Sequence, residues 1–383
     1  MIDLILFSTC AASALCWLSL IFMPIRWWMS ERWEAVDYSH TSISKWPSLS
    51  VIVPARNESA SLPVTLPSLL YQDYPESEII LIDDESIDGT AECAKDIAAR
   101  HNRNIQIIKG TSPPPGWTGK LWALQQGINA SSGEWLLFTD ADIRHCHNLW
   151  KGLITKALTE KREMVSLMAL LDTSGTWSRL LIPTFVYFFH VMYPFKKVHY
   201  SQSGTSAAAG GCVLISRHVI DKIGGIVGHS NAWIDDLALA KRIKQAGLSL
   251  SLSLTKSVVS IRPYHRLGNV WNMVARTAFS QLGCSWLALV GTVLGLAVMF
   301  LAPVVGICAF IIGIVSSTTA ILSFLALLLM MVTYIPTLCF FGLGMHRALT
   351  LPIVGILYAA MTVTSAINHL TGERDWRGTR SKD

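Results

Sequence analysis

Charged residues are scarce in this chain: they make up 15% of its 383 residues, whereas 51% are apolar and the mean hydropathy is +0.41. A soluble domain normally carries about a quarter of its residues as charges, so a purely soluble protein is excluded. The scarcity is local, because Arg347 is the only charged residue between Thr277 and Gly372. The rest of the chain has an ordinary charge density, which predicts a soluble domain joined to a membrane domain.

Cysteine spacing that would indicate a disulfide framework or a zinc ribbon is also missing. The eight cysteines are scattered and form no C-x-x-C pair, a pattern typical of a reduced, cytoplasmic setting. His145-Cys146-His147 carries metal-ligand chemistry, but adjacent side chains seldom converge on one ion. We therefore expect no metal site there.

Glycine-rich phosphate-binding loops are absent as well. Neither a Walker loop nor G-x-G-x-x-G follows the first predicted strand, where Pro54-Ala-Arg-Asn-Glu58 stands instead. A nucleotide would therefore be held through a metal ion and side chains. The net charge of +5 is too small and too widely spread for a nucleic-acid partner, and suits a surface that faces anionic lipid or an anionic small molecule.

The N-terminal residues predict a membrane anchor. Leu4 to Met23 is a run of 20 uncharged residues, long enough to cross a bilayer core of about 30 Å. No basic residue precedes the run, whereas Arg26, Arg32 and Lys45 follow it, the reverse of a cleaved signal peptide. The positive-inside rule places the following chain in the cytoplasm. We predict an uncleaved anchor over 1–25 and a linker over 26–46.

Strands and helices alternate through the first half of the next domain, predicted over 47–265. The strands are predicted at 49–53, 78–82, 105–108 and 134–138, and the helices at about 61–72, 88–100 and 118–130. This alternation predicts an α/β fold with a doubly wound, mostly parallel sheet. Ligands of such sheets bind beyond the carboxyl ends of the strands.

Acidic residues follow two of these predicted strands. Asp83 and Asp84 end the second, and Asp140 and Asp142 end the fourth. Two residues apart in an extended segment, the side chains of Asp140 and Asp142 would point to the same side. Two hard oxygen ligands suit Mg²⁺ or Mn²⁺, which complete their coordination with phosphate oxygens and water. The sequence therefore predicts a divalent metal site held by Asp140 and Asp142.

Several motifs in this order resemble the inverting family 2 glycosyltransferases of GT-A fold. They are Val51-Ile-Val-Pro-Ala-Arg-Asn-Glu58, Ile82-Asp-Asp-Glu-Ser-Ile-Asp-Gly-Thr90, Gly119-Lys120, Asp140-Ala-Asp142, Ala209-Gly-Gly-Cys-Val-Leu-Ile215 and Ile234-Asp-Asp236. The resemblance spans roughly Pro47 to Arg276 and implies a GT-A-type sheet. Pro113 to Lys120, Ile234-Asp-Asp236 and Met273 to Thr277 are most similar to the hopanoid-biosynthesis-associated glycosyltransferases.

The resemblance implies a role for each matching residue. Asp84, or its neighbour Asp83, would contact the nucleotide; Lys120 would offset charge on the leaving diphosphate. Asp236, or less favourably Asp235, would be the general base that deprotonates an acceptor hydroxyl. The implied nucleotide-sugar site comprises Pro54, Arg56, Glu58, Asp83, Asp84, Lys120, Asp140 and Ala141, and the acceptor side comprises Gly210, Gly211, Phe188 and Trp376.

Each role has a structural alternative. Asp84 could cap a turn, Lys120 could be a solvated surface residue, and the acidic pair 235–236 could serve only the helix dipole. Arg56 and Glu58 fit a supporting role better than a catalytic one.

Two departures from the family pattern bear on the reaction. The acidic pair at the expected base is often Glu-Asp in relatives and is Asp235-Asp236 here, which leaves the identity of the base open. The Gln-x-x-Arg-Trp signature of processive members is missing from Arg262 to Trp271. A single sugar transfer is therefore favoured over repeated addition.

The segment 176–197 is rich in aromatic residues, is interrupted by Pro183 and Pro194, and is flanked by basic residues. This composition favours a helix at the membrane interface over a buried core helix. With a second predicted interfacial helix over 266–283, it would form a collar through which a lipid acceptor reaches Asp236.

The C-terminal part predicts about three spans, near 286–314, 322–343 and 349–369, within a bundle over 284–370. Three spans would leave the basic tail, 371–383, outside, whereas its charges favour the inside. A further span near Pro303 or a re-entrant third segment would resolve this. We expect an integral membrane protein of bacterial inner-membrane type with a cytoplasmic catalytic domain.

Three functions are compatible with these features. The first is a metal-dependent, inverting transfer of a sugar from a nucleotide sugar, most readily a UDP-sugar, to a hydroxyl of a hopanoid-like, other polyisoprenoid or sphingoid lipid. The second is transfer to a polyprenyl phosphate, whose acceptor oxygen is already anionic. The third is an inactive membrane scaffold, which would be indicated by broken acidic motifs, and none is broken here.

Overall fold

A computed structural model of the chain describes residues 1–36, 43–229 and 235–371, with the main chain of 375–376 and 379–380. The chain divides into two compact units. One comprises Glu31–Asp172 and Phe195–Arg262, and the other comprises Met1–Ser30, Thr173–Pro194 and Pro263–Asp383. We call them the sheet unit and the helical unit.

The strands are β1 Leu49–Ala55, β2 Ser77–Asp83, β3 Gln106–Lys109, β4 Trp135–Thr139, β5 Ile143–His145, β6 Met164–Leu170, β7 Cys212–Ser216 and β8 Leu250–Ser260, with the two-residue pair β9 Asp375–Trp376 and β10 Thr379–Arg380. The helices are α1 Ile2–Ile21, α2 Leu62–Leu70, α3 Thr90–Arg100, α4 Gly119–Ala130, α5 Leu149–Thr159, α6 Thr176–Met192, α7 Phe195–His199, α8 Arg217–Lys222, α9 Asp235–Gln245, α10 Leu267–Ala275, α11 Ala278–Gln281, α12 Trp286–Leu296, α13 Ala302–Ile311, α14 Ser317–Phe340 and α15 Leu351–Thr371.

The sheet unit is built on one eight-stranded sheet with the order β3-β2-β1-β4-β7-β6-β8-β5. The four strands predicted from the sequence are confirmed and pair in parallel. The sheet is mixed beyond them, since β7 runs antiparallel to both β4 and β6, and β5 antiparallel to β8. The β6–β8 pair is again parallel, so four of the seven strand pairs are parallel and the mostly parallel prediction is confirmed for a mixed sheet. The carboxyl ends of the parallel strands β2 and β4 place the acidic residues of both motifs at one edge of the sheet.

Helices pack closely on this sheet because the strands are buried on both faces. Val51, Leu81 and Leu137 lie within one apolar core cluster of the unit. On α4, Gly127 lies where a Cβ atom would meet the side chains of Ile52 and Ile82, the latter at 2.7 Å. The absence of a side chain at Gly127 thus lets α4 pack closely on β1 and β2. This close packing holds the start of α4 beside the carboxyl ends of these two strands.

In the helical unit, four of the described helices are long and apolar enough to cross a membrane: Ile2–Ile21, Trp286–Ile311, Ser317–Phe340 and Met345–Thr371. This confirms the prediction of one N-terminal and three C-terminal apolar helices. At the first turn of α14 the Asp3 carboxylate accepts hydrogen bonds from the Ser316 amide at 3.2 Å and the Thr319 hydroxyl at 2.9 Å. Asp3 therefore satisfies donors that a helix start leaves unpaired.

The second apolar helix contains a π-turn, Ala297–Leu301, just before Pro303. Proline has no N–H, so the Met299 carbonyl loses the partner it would have four residues later. Two donors from α1 replace it: the Ser13 hydroxyl at 3.1 Å and the Trp17 indole N–H at 3.0 Å. Pro303 is thus accommodated inside one helix and does not mark an additional span.

Helix α6, which covers most of the predicted interfacial segment, belongs to the helical unit. The Tyr187 hydroxyl lies 2.9 Å from the Thr333 hydroxyl, and the Tyr358 hydroxyl donates to the Leu181 carbonyl at 2.9 Å. The ring of Phe188 packs against Tyr358, with 5.1 Å between centroids. One face of α6 is therefore fixed against the apolar helices, and an interfacial position for the helix stays a prediction.

Candidate active site

A cleft lies in the sheet unit at the carboxyl ends of β1 and β4, beside the start of β7. It encloses about 410 Å³, counting space open to solvent. It is lined by both polar and apolar residues: Pro54, Lys120, Leu121, Leu124, Phe138, Thr139, Asp140, Gly210, Val213, Ile226, Asp236 and Leu239. Residues from the predicted donor, metal and base motifs therefore share one cleft.

Lys120 is the second residue of α4, and its ammonium lies in this cleft. The Nζ atom is 2.9 Å from Asp140 Oδ1, and the two side chains are 23% and 35% exposed. The alternative of a solvated surface lysine is therefore wrong, because Lys120 pairs with the first acid of Asp140-Ala-Asp142. The pair places a cation beside the carboxylate predicted to bind a metal.

Asp140 and Asp142 are not in the extended conformation that the spacing predicted. Ala141 and Asp142 form a turn between β4 and β5, and the Ala141 carbonyl accepts a hydrogen bond from the Thr65 hydroxyl at 2.7 Å. The Asp142 Oδ2 atom lies 3.2 Å from Arg262 Nε. The two acids therefore pair with different cations.

The residues still fit a divalent ion of the kind that keeps much of its shell for a substrate. No group of three or more His, Cys, Asp or Glu side chains in the described part of the chain could hold an ion unaided. Asp140 is partly exposed in the cleft, and a hard cation takes one or two carboxylates with phosphate oxygens and water completing its shell. A metal here would depend on a diphosphate for its remaining ligands.

Asp84 follows β2 and is 1% exposed. Its Oδ2 atom lies 3.3 Å from Arg56 Nη1, whereas its buried Oδ1 atom has no hydrogen-bond partner among the described residues. Burial raises the pKa of Asp84 above its ordinary value, and the Arg56 charge works in the opposite direction. A buried acceptor without a donor is costly, so Oδ1 fits a ligand N–H or O–H.

Asp83 and Glu58 have local partners in the loops that follow β2 and β1. Asp83 Oδ1 accepts the Ser86 amide at 3.2 Å, and Glu58 Oε2 accepts the Ser61 hydroxyl at 2.7 Å. Both contacts shape the loops around Asp84. Direct contact of Asp83 or Glu58 with a nucleotide stays a prediction.

Asp236, in the first turn of α9, faces the glycine pair before β7. Its Oδ2 atom accepts the Gly210 amide and its Oδ1 atom accepts the Leu237 amide, both at 2.8 Å. A Cβ atom on Gly210 would lie 3.5 Å from both Asp236 Oδ2 and Lys120 Nζ. The predicted base and the predicted leaving-group lysine therefore both lie close to the position that a side chain on Gly210 would occupy.

Several predicted site residues do not line this cleft. In the sheet unit these include Arg56, Glu58, Asp83, Asp84, Ala141 and Asp142. Phe188 belongs to the helical unit, and Gly211 follows Gly210 without lining the cleft. The side chains of Asp235 and Trp376 lie outside the described residues.

Sequence reasoning missed two sets of contacts around the turn between β4 and β5. Arg262, which pairs with Asp142, follows β8 and is 120 residues away in the chain, so no local signal indicated it. His145 accepts a hydrogen bond from the Trp150 indole at 3.2 Å and contacts the Thr139 hydroxyl at 2.9 Å. Burial lowers the pKa of His145 to about 3, so the imidazole is neutral and has protein partners on both nitrogens.

Comparisons with known proteins agree with this geometry. Residues 50–224 match the family described as Glycosyl transferase family 2. The fold is similar to that of a mannosyltransferase from Pyrobaculum calidifontis solved in complex with GDP-Man and Mn²⁺, with a TM-score of 0.58 and 16% identity over 95% of this chain and 99% of that chain. This similarity confirms the predicted GT-A-like fold.

Two relatives are more similar in sequence over a shorter stretch. A 4,4'-diaponeurosporenoate glycosyltransferase from Staphylococcus haemolyticus is 38% identical over 96 residues, 25% of this chain and 24% of the relative. A poly-beta-1,6-N-acetyl-D-glucosamine synthase from Staphylococcus epidermidis is 36% identical over 94 residues, 24% of this chain and 21% of the relative. The chain thus aligns with about a quarter of the length of these curated relatives. Residues 50–224 are therefore similar to family 2 glycosyl transferases and lie on a GT-A-like sheet.

Proposed function

We propose that this protein is a membrane-bound glycosyltransferase that moves one sugar, with inversion, from a nucleotide-sugar donor to a hydroxyl of a membrane lipid. The observation that carries the proposal is the placement of Lys120, Asp140 and Asp236 around one cleft, within or beside the region similar to family 2 glycosyl transferases. Such a transfer needs a carboxylate base, a lysine and an acid that can bind a metal ion. All three would be supplied at the strand ends that line this cleft.

Asp236 would accept the proton of the acceptor hydroxyl as that oxygen attacks the anomeric carbon. Each of its carboxylate oxygens receives one main-chain N–H, from Gly210 and from Leu237. These bonds orient the carboxylate toward the glycine pair before β7. A positioned base of this kind typically contributes about 10²–10⁴-fold to the rate.

Lys120 would stabilise the negative charge that develops on the departing nucleoside diphosphate. Its Nζ atom is already in the cleft, 2.9 Å from Asp140, and needs no long movement to reach a bound phosphate. Asp140 and Asp142 would hold Mg²⁺ or Mn²⁺, which would supply Lewis-acid stabilisation of the diphosphate.

Asp84 would recognise the nucleoside. Its buried Oδ1 lacks a donor, and the N–H of a base or a ribose hydroxyl would provide one. Because Oδ2 faces Arg56, one carboxylate oxygen remains for the ligand, which favours a single donor such as the uracil N3–H. A UDP-sugar is therefore the donor that we expect.

A lipid acceptor is supported by the four apolar helices and by the similarity to a glycosyltransferase named for diaponeurosporenoate. We propose a polyisoprenoid acceptor of hopanoid-like or related type, or a sphingoid lipid, with the sheet unit on the cytoplasmic side of the membrane.

The proposal is tested with membranes that contain the full chain, a panel of radiolabelled nucleotide sugars and extracted lipids, with and without a chelator. We expect label in a lipid product, chelator-sensitive transfer, and a loss of at least 100-fold in Asp236→Asn with UDP binding retained. Asp221→Asn, which changes an exposed aspartate of α8, is the matched control. Full activity of Asp236→Asn would favour a phosphate acceptor, and no transfer from any donor would contradict the proposal.

A further inference from the structure

Two buried hydroxyl groups hold the main chain on either side of Gly210. The Ser166 hydroxyl accepts the Ala209 amide at 2.8 Å and lies 3.1 Å from the Ala209 carbonyl. The Thr139 hydroxyl donates to the Gly211 carbonyl at 3.1 Å. Between these contacts, the Gly210 amide donates to Asp236 Oδ2. The peptide that supports the proposed base is therefore anchored from both directions.

This anchoring matters because Ala209–Gly211 precedes β7, and the regular strand pairing of β7 begins only after this segment. The β4–β7 pairing ends at Thr139 opposite Cys212, and the β6–β7 pairing ends at Ser166 opposite Val213. Gly210 and Gly211, two consecutive glycines just before the start of β7, would otherwise have wide conformational freedom. Side-chain hydrogen bonds therefore replace the strand pairing that Gly210 and Gly211 lack.

His145 determines the direction of the hydrogen bond from Thr139. The Trp150 indole N–H can only donate, so His145 Nδ1 accepts and the imidazole proton lies on Nε2. His145 Nε2 then donates to the Thr139 hydroxyl oxygen at 2.9 Å. The single hydroxyl hydrogen of Thr139 is left for the Gly211 carbonyl. Thr139, His145 and Trp150 are each at least 95% buried, so water does not compete for the hydrogen bonds among them.

We propose that His145, Thr139 and Ser166 are positioning residues that clamp Ala209–Gly211 so that the Gly210 amide holds Asp236 in place. Trp150 and His145 form the inner part of the clamp, and Thr139 and Ser166 contact the main chain. The catalytic consequence rests on the proposed function, since it concerns the proposed base. The structural consequence, a fixed Gly210 amide, does not.

Thr139 offers a matched pair of variants for the test. Thr139→Val keeps the shape and removes the hydroxyl, whereas Thr139→Ser keeps the hydroxyl. We expect Thr139→Val to lower kcat about tenfold, with KM for the donor and the affinity for UDP changed less than about twofold. Thr139→Ser should recover most of kcat. Thr159→Val, at an exposed position of α5, is the control and should leave kcat unchanged.

A second readout does not depend on activity. Hydrogen–deuterium exchange of the full-length protein in detergent should show faster exchange of the peptide containing Gly210 in Thr139→Val and in His145→Leu. His145→Gln, which keeps an N–H donor on the side chain, should exchange more slowly than His145→Leu. If one variant does not fold, the other substitution gives the same test.

The outcomes separate the clamp from the proposed function. Equal kcat and equal exchange in Thr139→Val and wild type would overturn the clamp, even if transfer is observed. A parallel loss of UDP binding and kcat would also overturn it, because that pattern indicates general disruption. Absence of transfer in every variant, with exchange altered as expected, would contradict the proposed function and leave the fixed Gly210 amide supported.

Discussion

Lys120 Nζ lies 2.9 Å from Asp140 Oδ1, so the first acid of the Asp140-Ala-Asp142 motif is paired with a cation of the protein. A metal ion that binds Asp140 must therefore compete with the lysine. When a diphosphate enters, its negative charge can attract the lysine, and the carboxylate becomes available to the ion. Metal and donor should for this reason bind more strongly together than either does alone.

Replacing Lys120 by Met should change two measurements in opposite directions. Transfer should fall by about 10²–10³-fold, because charge on the leaving group is no longer stabilised. The affinity for Mn²⁺ without nucleotide should rise by up to about fivefold, since a partly exposed ion pair of about 1 kcal/mol is removed. Paramagnetic resonance of free Mn²⁺ measures the second effect. Lys95→Met, at an exposed position of α3, should change neither, and weaker Mn²⁺ binding in Lys120→Met would count against the competition.

Asp84 should make UDP affinity sensitive to acid. Burial raises its pKa above 3.8, so the folded protein takes up a proton at a pH where the unfolded chain remains ionised. Arg56 occupies Oδ2, and the proton would settle on Oδ1 and abolish the acceptor. We expect UDP affinity to fall as the pH is lowered toward 3.8, beginning above that value.

The same proton uptake determines the sign of the stability effect. The buried charge of Asp84 lowers stability at neutral pH, and this cost is relieved as the pH falls through the raised pKa. Asp84→Asn should weaken UDP binding about tenfold at neutral pH and remove its part of the pH dependence. Titration calorimetry between pH 4 and 8 would show this, with the exposed Asp73→Asn as control. A pH profile identical in wild type and Asp84→Asn would exclude Asp84 as the titrating group.

Gly127 should tolerate no side chain. In Gly127→Ala the new methyl group would meet Ile52 and Ile82, which would move α4 away from β1 and β2 at a cost of about 1–3 kcal/mol. A lower thermal midpoint of the full chain in detergent would confirm this. Gly204→Ala is a suitable control, because its Cβ would meet nothing within 4 Å. Equal melting of the two variants would show that the α4 contact is looser than described.

The Met299 carbonyl should respond to its two donors in a non-additive way. Ser13→Ala should cost less than about 1 kcal/mol, because the Trp17 indole remains as a donor, whereas Trp17→Phe should cost more because it also leaves a cavity beside Phe300. The double variant should cost more than the sum, since only then is the carbonyl unpaired. Pro303→Ala, which restores an N–H four residues after Met299, should rescue the double variant. Simple additivity of the melting shifts would contradict this account.

The sequence predicted the elements whose signal is local. The alternation from β1 to β4 follows from short β-branched runs and amphipathic stretches, and the apolar helices follow from length and composition. The antiparallel strands β5 and β7 were missed because β5 has three residues and pairs with β8 more than 110 residues later. Non-local pairing of this kind leaves no periodicity to detect.

The site was predictable where a motif lies at a strand end and unpredictable where it depends on a distant partner. Lys120, Asp140 and Asp236 share one cleft as the resemblance implied. The Arg262 partner of Asp142 and the hydroxyls that flank Gly210 depend on how strands far apart in the sequence meet. The two acids after β4 lie in a turn where an extended pair was expected. The spacing of a motif therefore predicts the chemical type of a site more readily than the orientation of its side chains.

The proline at position 303 has a consequence for biogenesis. A carbonyl without a donor inside hydrocarbon costs several kcal/mol, so helix Trp286–Ile311 is not self-sufficient as a newly inserted segment. Its missing donors come from Ser13 and Trp17, which a ribosome adds more than 280 residues earlier. If these helices cross a membrane as proposed, the first helix must stay accessible until the late helices emerge, and lateral assembly should be completed only after synthesis of the C-terminal half.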